Sequence, residues 1–219
     1  HAENKDTCKK AEDLMALLTP ISKGFNSECG IESTNLGIQI FGGHGFIHET
    51  GIEQMARDQR ITAIYEGTTA IQGLDLLDRK IRGMGLLEEF TCEIANFCAR
   101  EHGAAMSEFV APLVGALDQW RTLTADILSN QDEEPCHIGS CAHDYLMYSG
   151  YVTLAYFWAQ AAAVTLNQTD GTNDFYHGKL ETARFYFARI LPRTATLAIT
   201  LRAGPASLMS IGVDALAPN

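Results

Sequence analysis

Apolar residues recur every three or four positions over long stretches of this chain, a spacing typical of helices that bury one face. Residues 5–27 follow this pattern, with Pro20 as a kink or division point and Gly30 as the expected end. After the polar residues 32–35, a second helix is predicted to run as far as the glycines at 42–45. We expect this helix to place four apolar side chains inward: Leu36, Ile38, Ile40 and Phe41.

Two shorter helices are predicted on either side of the segment Tyr-Glu-Gly-Thr at 65–68. The first covers roughly 51–62, begins near Thr50 as a candidate N-cap, and is expected to bury Ile52, Met55 and Ile61. The second carries its apolar stripe through Ile71, Leu74, Leu77 and Ile81. The glycine-containing sequence at 82–85 then indicates a boundary.

Beyond this boundary the helical stripes are longer and more regular. Their apolar members are Leu87, Phe90, Ile94, Phe97, Phe109, Leu113, Leu117, Trp120 and Ile127. A polar loop is predicted at 129–140, and helices at 141–167 and 175–203 flank the turn-rich segment 168–173. The aromatic run from Tyr145 to Trp158 is expected to supply core and helix interfaces.

No segment alternates between apolar and polar residues with period two, so the sequence predicts an all-α fold. We divide it into two helical units, 1–83 and 84–219. The 219 residues are 46% hydrophobic and 20% charged, as in ordinary globular proteins. The net charge of −11 argues against a nucleic-acid partner, and no apolar run is long enough to span a bilayer.

The cysteines and the first residue bear on the compartment. The six cysteines are scattered through predicted helices, which favours free thiols over a disulfide framework. The chain begins with His1 and not Met, and its first residues are already amphipathic. We therefore expect it to be the interior of a longer protein, from which no targeting segment can be read. The expected location is cytoplasmic, or the mitochondrial matrix in a eukaryote.

Candidate chemistry is concentrated in residues 35–72. Gly42, Gly43 and Gly45 form a cluster that lacks the lysine of a Walker loop and follows a helix, not the strand of a Rossmann fingerprint. Such glycines expose backbone amides and let another molecule approach closely. They are equally explained by a helix C-cap followed by a turn.

Glu66 is the second candidate. A carboxylate among apolar neighbours holds a proton more readily than one in water, which suits it to proton transfer. An exposed glutamate in a helix–helix turn, favoured by the dipole of the next helix, explains the sequence as well.

Two other charged or ligating groups are weaker candidates. The charges at Glu53, Arg57, Asp58 and Arg60 are consistent with a solvated face or structural salt bridges. The segment 136–143 contains the residue types of a zinc site, but their spacing matches no closed four-ligand pattern. No metal site is predicted.

Read in order, these segments resemble the signature region of the acyl-CoA dehydrogenase flavoproteins. The resemblance covers about residues 5–82 and rests on GIQIFGGHGF at 37–46, GIEQ at 51–54, RDQRI at 57–61 and IYEGT at 64–68. The remainder, including FYHGKLETARFYF at 175–187, is similar to the extra C-terminal helical domain of one branch. That branch includes the 3-methylmercaptopropionyl-CoA dehydrogenases.

The resemblance implies a role for each matching residue. Glu66 takes the position of the base that removes the α-proton of an acyl-CoA thioester, while the β-hydrogen leaves as hydride to FAD and a trans-2-enoyl-CoA forms. Gln39, Gly42, Gly43 and Gly45 match a loop that meets the ADP half of an FAD bound mainly by the neighbouring subunit. The resemblance also places Thr68 against FAD, and it implies a structural role for the motif at 57–58.

Two positions depart from the pattern. Thr50 stands where many relatives have an aromatic residue, and Ala70 stands where some have a polar FAD contact, so that role is not carried over.

The resemblance also implies that an N-terminal helical domain and a middle β-domain lie outside this chain, which is then expected to be inactive alone. It implies a homodimer or dimer of dimers and an electron-transfer flavoprotein as acceptor. Two alternatives stay open: a non-catalytic helical assembly module, and part of an acyl-CoA oxidase.

Overall fold

The computed structural model describes residues 5–130, 136–167 and 174–216, in which every regular element is helical. The predicted all-α fold is confirmed. The α-helices are α1 (Lys5–Phe41), α2 (Ile52–Arg60), α3 (Thr69–Leu74), α4 (Leu87–Arg100), α5 (Ser107–Asn130), α6 (His137–Leu166), α7 (Asp174–Phe185), α8 (Arg193–Leu201), α9 (Ala206–Met209) and α10 (Val213–Leu216). Short 3₁₀ turns lie at Gly42–Gly45, His48–Thr50, Ile61–Ala63 and Ala104–Met106, and π-helical segments at Asp75–Gly83 and Tyr186–Ile190.

Helix α1 is a single element, so the predicted division into two helices is wrong. It passes through Pro20 and Gly30 without ending. A Cβ atom on Gly30 would collide with the side-chain amide of Gln59 in α2. The glycine therefore serves close helix packing and not helix termination.

The inner face predicted for residues 36–61 is also largely wrong. Ile40 is 84% exposed and Met55 is 61% exposed, and Leu36, Phe41 and Ile61 are each more than half exposed. In the described part of the chain, α2 packs mainly against α1 at this end of the molecule. Nothing in the described residues packs over its outer surface.

Thr50 is not the N-cap of α2. Its hydroxyl donates to the carbonyl oxygens of His44 and Ile47, at 2.6 and 3.0 Å, and so closes the preceding turn. Gly51 is the residue that precedes α2, with a left-handed φ of +73°.

One hydrophobic cluster extends across the predicted boundary at 83. Leu17, Leu76 and Ile81 from the first unit join the buried stripes of the second, all of whose predicted members are buried. At its centre the indole Nε1 of Trp120 donates to the hydroxyl of Tyr145 at 3.0 Å. The predicted core role of the aromatic run is confirmed for its four tyrosines. Its other members differ, since Phe157 is 46% exposed and Trp158 is half-buried.

Three glycines allow close packing of α1 and α3 against α6, and at Gly73 the contact is with the α6 backbone itself. A Cβ on Gly73 would lie 2.5 Å from the carbonyl oxygen of Ala142, and a Cβ on Gly24 would collide with Leu146. A Cβ on Gly150 would overlap the ring of Phe25. The two predicted units therefore share a close-packed junction, and their division stays a prediction.

The last predicted helix is interrupted. Instead of one helix over 175–203, α7 passes into a π-helical turn, and α8 begins after Pro192. The amide of Leu191 bonds to the carbonyl of Tyr186 at 2.9 Å, five residues back. Proline lacks the amide that would continue the ladder. The predicted loop at 168–173 and part of the loop at 129–140 lie outside the described residues.

Among the described residues, none of the six cysteines is joined in a disulfide. Burial raises the pKa of the Cys29 thiol to about 11, so this cysteine carries no thiolate at neutral pH. Within the described ranges, no helix combines the length and apolar content needed to cross a membrane.

Candidate functional site

Glu66 lies in the loop between the 3₁₀ turn Ile61–Ala63 and α3. Its φ is +54°, and among the described residues it is the only non-glycine residue with a positive φ. Such a backbone costs about 1–3 kcal/mol, and unfavourable conformations of this kind are concentrated at functional sites. Its carboxylate is exposed and makes no hydrogen bond or ion pair within the described part of the chain. This side chain is therefore available to a partner from outside.

The apolar residues near Glu66 in the sequence do not bury it, so the expected apolar surroundings are not formed within the described residues. Ile61, Ile64, Tyr65 and Ile71 are each 48–54% exposed. They form an exposed apolar border, each within five residues of Glu66 in the sequence. A molecule lying on this surface would remove water from both the border and the acid.

Lys23 of α1 holds the two ends of the loop. Its ammonium group donates to the carbonyl oxygens of Thr62 and Gly67, at 2.8 and 2.5 Å, on either side of Glu66. It also lies 5.7 Å from the centre of the Tyr65 ring. The sequence analysis did not single out this lysine, because a contact with backbone carbonyls depends on no particular residue type at the acceptor positions.

The following residues fix the start of α3. The hydroxyl of Thr68 caps the helix by accepting from the amide of Ile71 at 3.4 Å. The hydroxyl of Thr69 donates to the carboxylate of Glu28 in α1 at 2.5 Å. The side-chain amide of Gln72 donates to the carbonyl of Glu66 at 3.1 Å. Thr68 is also exposed, so its capping role leaves it accessible to a ligand.

The three candidate glycines are in different environments. Gly42 directly follows α1 with a φ of +59°, as a C-terminal capping glycine does. A Cβ on Gly45 would collide with the backbone of Ile38, so this glycine permits the turn to fold back on α1. Gly43 is exposed, and a Cβ added there would meet nothing within 4 Å. Of the three, Gly43 alone has no structural requirement inside the chain.

The structure does not bring the glycine cluster and Glu66 together. Gln39 lies near the end of α1, sixteen residues after Lys23, whose side chain contacts the Glu66 loop. At 1.5 Å per residue, this places the two sites about 24 Å apart along the helix. They are therefore two separate contact regions.

The backbone at Gly43 is exposed, and the empty space around its Cα lets a ligand approach the main chain closely. The side chain of Gln39 is exposed and makes no hydrogen bond within the described residues. A cofactor such as FAD could therefore contact this region without displacing any part of the chain.

The charged run of α2 does not form pairs among its own members. Glu53 contacts His48 at 2.9 Å, and Asp58 accepts from Gln54 at 2.6 Å. Arg57 and Asp58 are exposed. The predicted solvated face describes this helix better than internal salt bridges do. Within the described ranges, no three or more His, Cys, Asp or Glu side chains form a group that could hold a metal ion.

Two family models match the chain. The model described as "Acyl-CoA dehydrogenase, C-terminal domain" matches residues 5–81. The model described as "Acetyl-CoA dehydrogenase C-terminal like" matches residues 90–212, more than half of the chain.

Curated relatives carry consistent names. Over 83% of its length the chain is 33% identical to a 3-methylmercaptopropionyl-CoA dehydrogenase of Ruegeria pomeroyi, and this match covers 32% of that protein. A broad-specificity linear acyl-CoA dehydrogenase of Mycobacterium tuberculosis is 30% identical over 88% of the chain and 33% of its own length. A butyryl-CoA dehydrogenase of Syntrophomonas wolfei is 27% identical over 83% of the chain and 31% of its own length. The chain thus spans about a third of the length of these relatives.

Proposed function

The chain belongs to the acyl-CoA dehydrogenase family, and from this premise we propose that it is the C-terminal catalytic portion of an FAD-dependent acyl-CoA dehydrogenase. The reaction is the α,β-dehydrogenation of an acyl-CoA thioester to a trans-2-enoyl-CoA. Glu66 is the base that removes the α-proton.

The observation that carries this proposal is the state of Glu66. Its backbone is held in a left-handed conformation by bonds on both sides, while its carboxylate is exposed and has no partner in the described residues. A surface glutamate without a function does not require such a backbone. Proton abstraction requires a carboxylate that is free to accept a proton, on a backbone held in a defined position.

The acyl chain has a place to lie beside this base. The exposed border of Ile61, Ile64, Tyr65 and Ile71 is apolar, as an acyl group requires. A separate open cleft of about 320 Å³ between this loop and α1 is lined mostly by polar side chains, among them Lys23, Thr62 and Glu66. Covering the cleft would exclude water from the proton transfer.

We assign FAD contacts to Gln39, Gly42, Gly43 and Gly45, and a separate contact to Thr68. When bound, FAD supplies the hydride acceptor. The glycine cluster lies about 24 Å along α1 from the Glu66 loop, which supports contact with an FAD of the neighbouring subunit in a homodimer or dimer of dimers. The reduced FAD is then reoxidised by an electron-transfer flavoprotein.

Exposed apolar side chains support an assembly role for the same surface. Eleven large apolar residues between Leu36 and Leu74 are more than a third exposed: Leu36, Ile40, Phe41, Phe46, Ile47, Met55, Ile61, Ile64, Tyr65, Ile71 and Leu74. Such a concentration is typical of surfaces that another domain or subunit covers. A helical assembly module without chemistry is therefore the second candidate function.

The two candidates are distinguished by flavin reduction. We expect the full-length protein to retain a visible flavin band after incubation with FAD and desalting, and to lose this band on addition of an acyl-CoA. With the 219-residue chain alone, addition of an acyl-CoA is expected not to bleach the flavin. A full-length protein that holds FAD but does not respond to any acyl-CoA would favour the assembly role.

Gly43→Ala is expected to weaken FAD binding without destabilising the chain. A Cβ at this position meets nothing within 4 Å, so the melting temperature should remain unchanged. Against a bound cofactor, the same methyl should reduce affinity about 10-fold or more. The flavin that the full-length variant retains after desalting measures the first effect. Thermal unfolding of the 219-residue chain measures the second.

Gly103→Ala is the matched control, because Gly103 is exposed and has equally open surroundings. This control should change neither the affinity for FAD nor the melting temperature. Equal FAD affinity in the Gly43→Ala protein and its parent would remove Gly43 from the assigned contacts.

A further inference from the structure

We propose that Lys23 is a positioning residue for Glu66: it holds the loop 62–67 so that the carboxylate keeps its direction. The inference rests on the proposed function of Glu66 as the base. Lys23 lies on α1, about forty residues before the loop, and is half-buried.

The argument begins with the backbone of the loop. A left-handed backbone is sterically unfavourable for a glutamate, because its Cβ approaches the following carbonyl oxygen. Glu66 has this conformation, and Gly67 follows with a φ of +91°. Two consecutive left-handed residues turn the chain sharply, so the carbonyl groups around them are not used by a regular helix. These groups need donors from elsewhere.

Side chains of α1 and α3 supply the donors. The carbonyl of Thr62 accepts from Lys23 at 2.8 Å and from the hydroxyl of Ser27 at 3.2 Å. Gly67 accepts from Lys23 at 2.5 Å, and Glu66 accepts from Gln72 at 3.1 Å. The loop is therefore held at its beginning, at Glu66 itself and at its end.

The geometry excludes an ordinary capping role for this lysine. A capping cation near a helix C-terminus contacts carbonyls of one helix end. The acceptors of Lys23 are five residues apart and lie on opposite sides of Glu66. A single ammonium group therefore joins the two ends of the turn, and its bonds are stronger than neutral ones because the donor is charged.

The first test is amide hydrogen exchange of peptides covering 61–68 in the 219-residue chain. The amides of Ile64 and Tyr65 both donate to the carbonyl of Ile61, at 3.0 and 3.1 Å, and report on the turn. In Lys23→Met, which keeps the stem and removes the ammonium, we expect exchange at least about 10-fold faster there. Exchange of peptides from α5 should stay unchanged.

Two further variants sharpen the test. Lys10→Met removes an ammonium from the same helix, where Lys10 pairs with Glu89 at 3.3 Å on the surface. In this variant the peptides covering 61–68 should exchange at the parent rate. Lys23→Arg can also donate to two carbonyls and should recover part of the protection. A simple loss of folding would raise exchange everywhere and would not be rescued at this one loop.

The second readout is the reaction of the FAD-loaded full-length protein. In Lys23→Met the rate of flavin bleaching by acyl-CoA should fall about 10-fold, while the half-saturating concentration should change less than about 3-fold. Unchanged exchange at 61–68 overturns the proposal. Faster exchange with an unchanged bleaching rate also overturns it, because the reaction would then not depend on a held loop.

Glu66→Gln measured beside these variants separates this proposal from the function on which it rests. If Glu66→Gln keeps the parent bleaching rate, the assignment of the base fails. The exchange result then describes how the loop is held, without a role in catalysis.

Discussion

Glu66→Gln should abolish acyl-CoA dehydrogenation in the FAD-loaded full-length protein while the flavin stays bound. The amide cannot accept the α-proton, and positioned bases contribute about 100- to 10,000-fold to such reactions. Gln keeps the size of the side chain, and no hydrogen bond of the carboxylate is lost, because it makes none within the described residues. Stopped-flow bleaching of the flavin by excess acyl-CoA measures the effect.

The matched control is Glu49→Gln. Glu49 is exposed, lies in the turn before α2, and undergoes the same loss of charge. The flavin of the Glu49→Gln protein should bleach at the parent rate. Substantial turnover by Glu66→Gln with its flavin band intact would show that another group removes the proton.

Gly73→Ala should destabilise the chain by about 2–3 kcal/mol, although alanine is the better helix former. The added Cβ would lie 2.5 Å from the carbonyl oxygen of Ala142 and 2.8 Å from its carbonyl carbon. These atoms belong to the backbone of α6, so no side-chain rotation relieves the overlap. Helix α3 must move away from α6, and Glu66 lies only three residues before α3. Chemical denaturation of the 219-residue chain measures the change.

Gly115→Ala in α5 serves as the control, since Gly115 is exposed and a Cβ there meets nothing within 4 Å. It should stabilise the chain by up to about 1 kcal/mol. If Gly73→Ala stabilised the chain by the same amount, α3 and α6 would not be packed at backbone distance.

The helical character of the chain could be predicted because it depends on local spacing. The stripes from Leu87 to Ile127 are regular, and their predicted members are buried as expected. Helix ends were less accessible to prediction. Gly30 has the sequence features of a stop, but its partner Gln59 is remote in sequence, and only the fold shows that the glycine lies inside a continuous helix.

Burial at the candidate site could not be predicted for a physical reason. Ile40 and Met55 are apolar at helical spacing, yet what would cover them is not among the described residues. Spacing identifies a face that prefers to be covered, but not whether the cover is in the same chain. The left-handed φ of Glu66 and the bonds of Lys23 escaped prediction as well, since both depend on backbone geometry that residue types do not specify.

The backbone conformation of Glu66 has a consequence for laboratory evolution. Glycine adopts a left-handed φ without steric cost, and asparagine tolerates it better than glutamate does. A library of variants selected only for heat resistance should therefore accumulate these residues at position 66. The most heat-resistant survivors would then be proteins that had lost the proposed base, so any such selection needs a parallel screen for turnover.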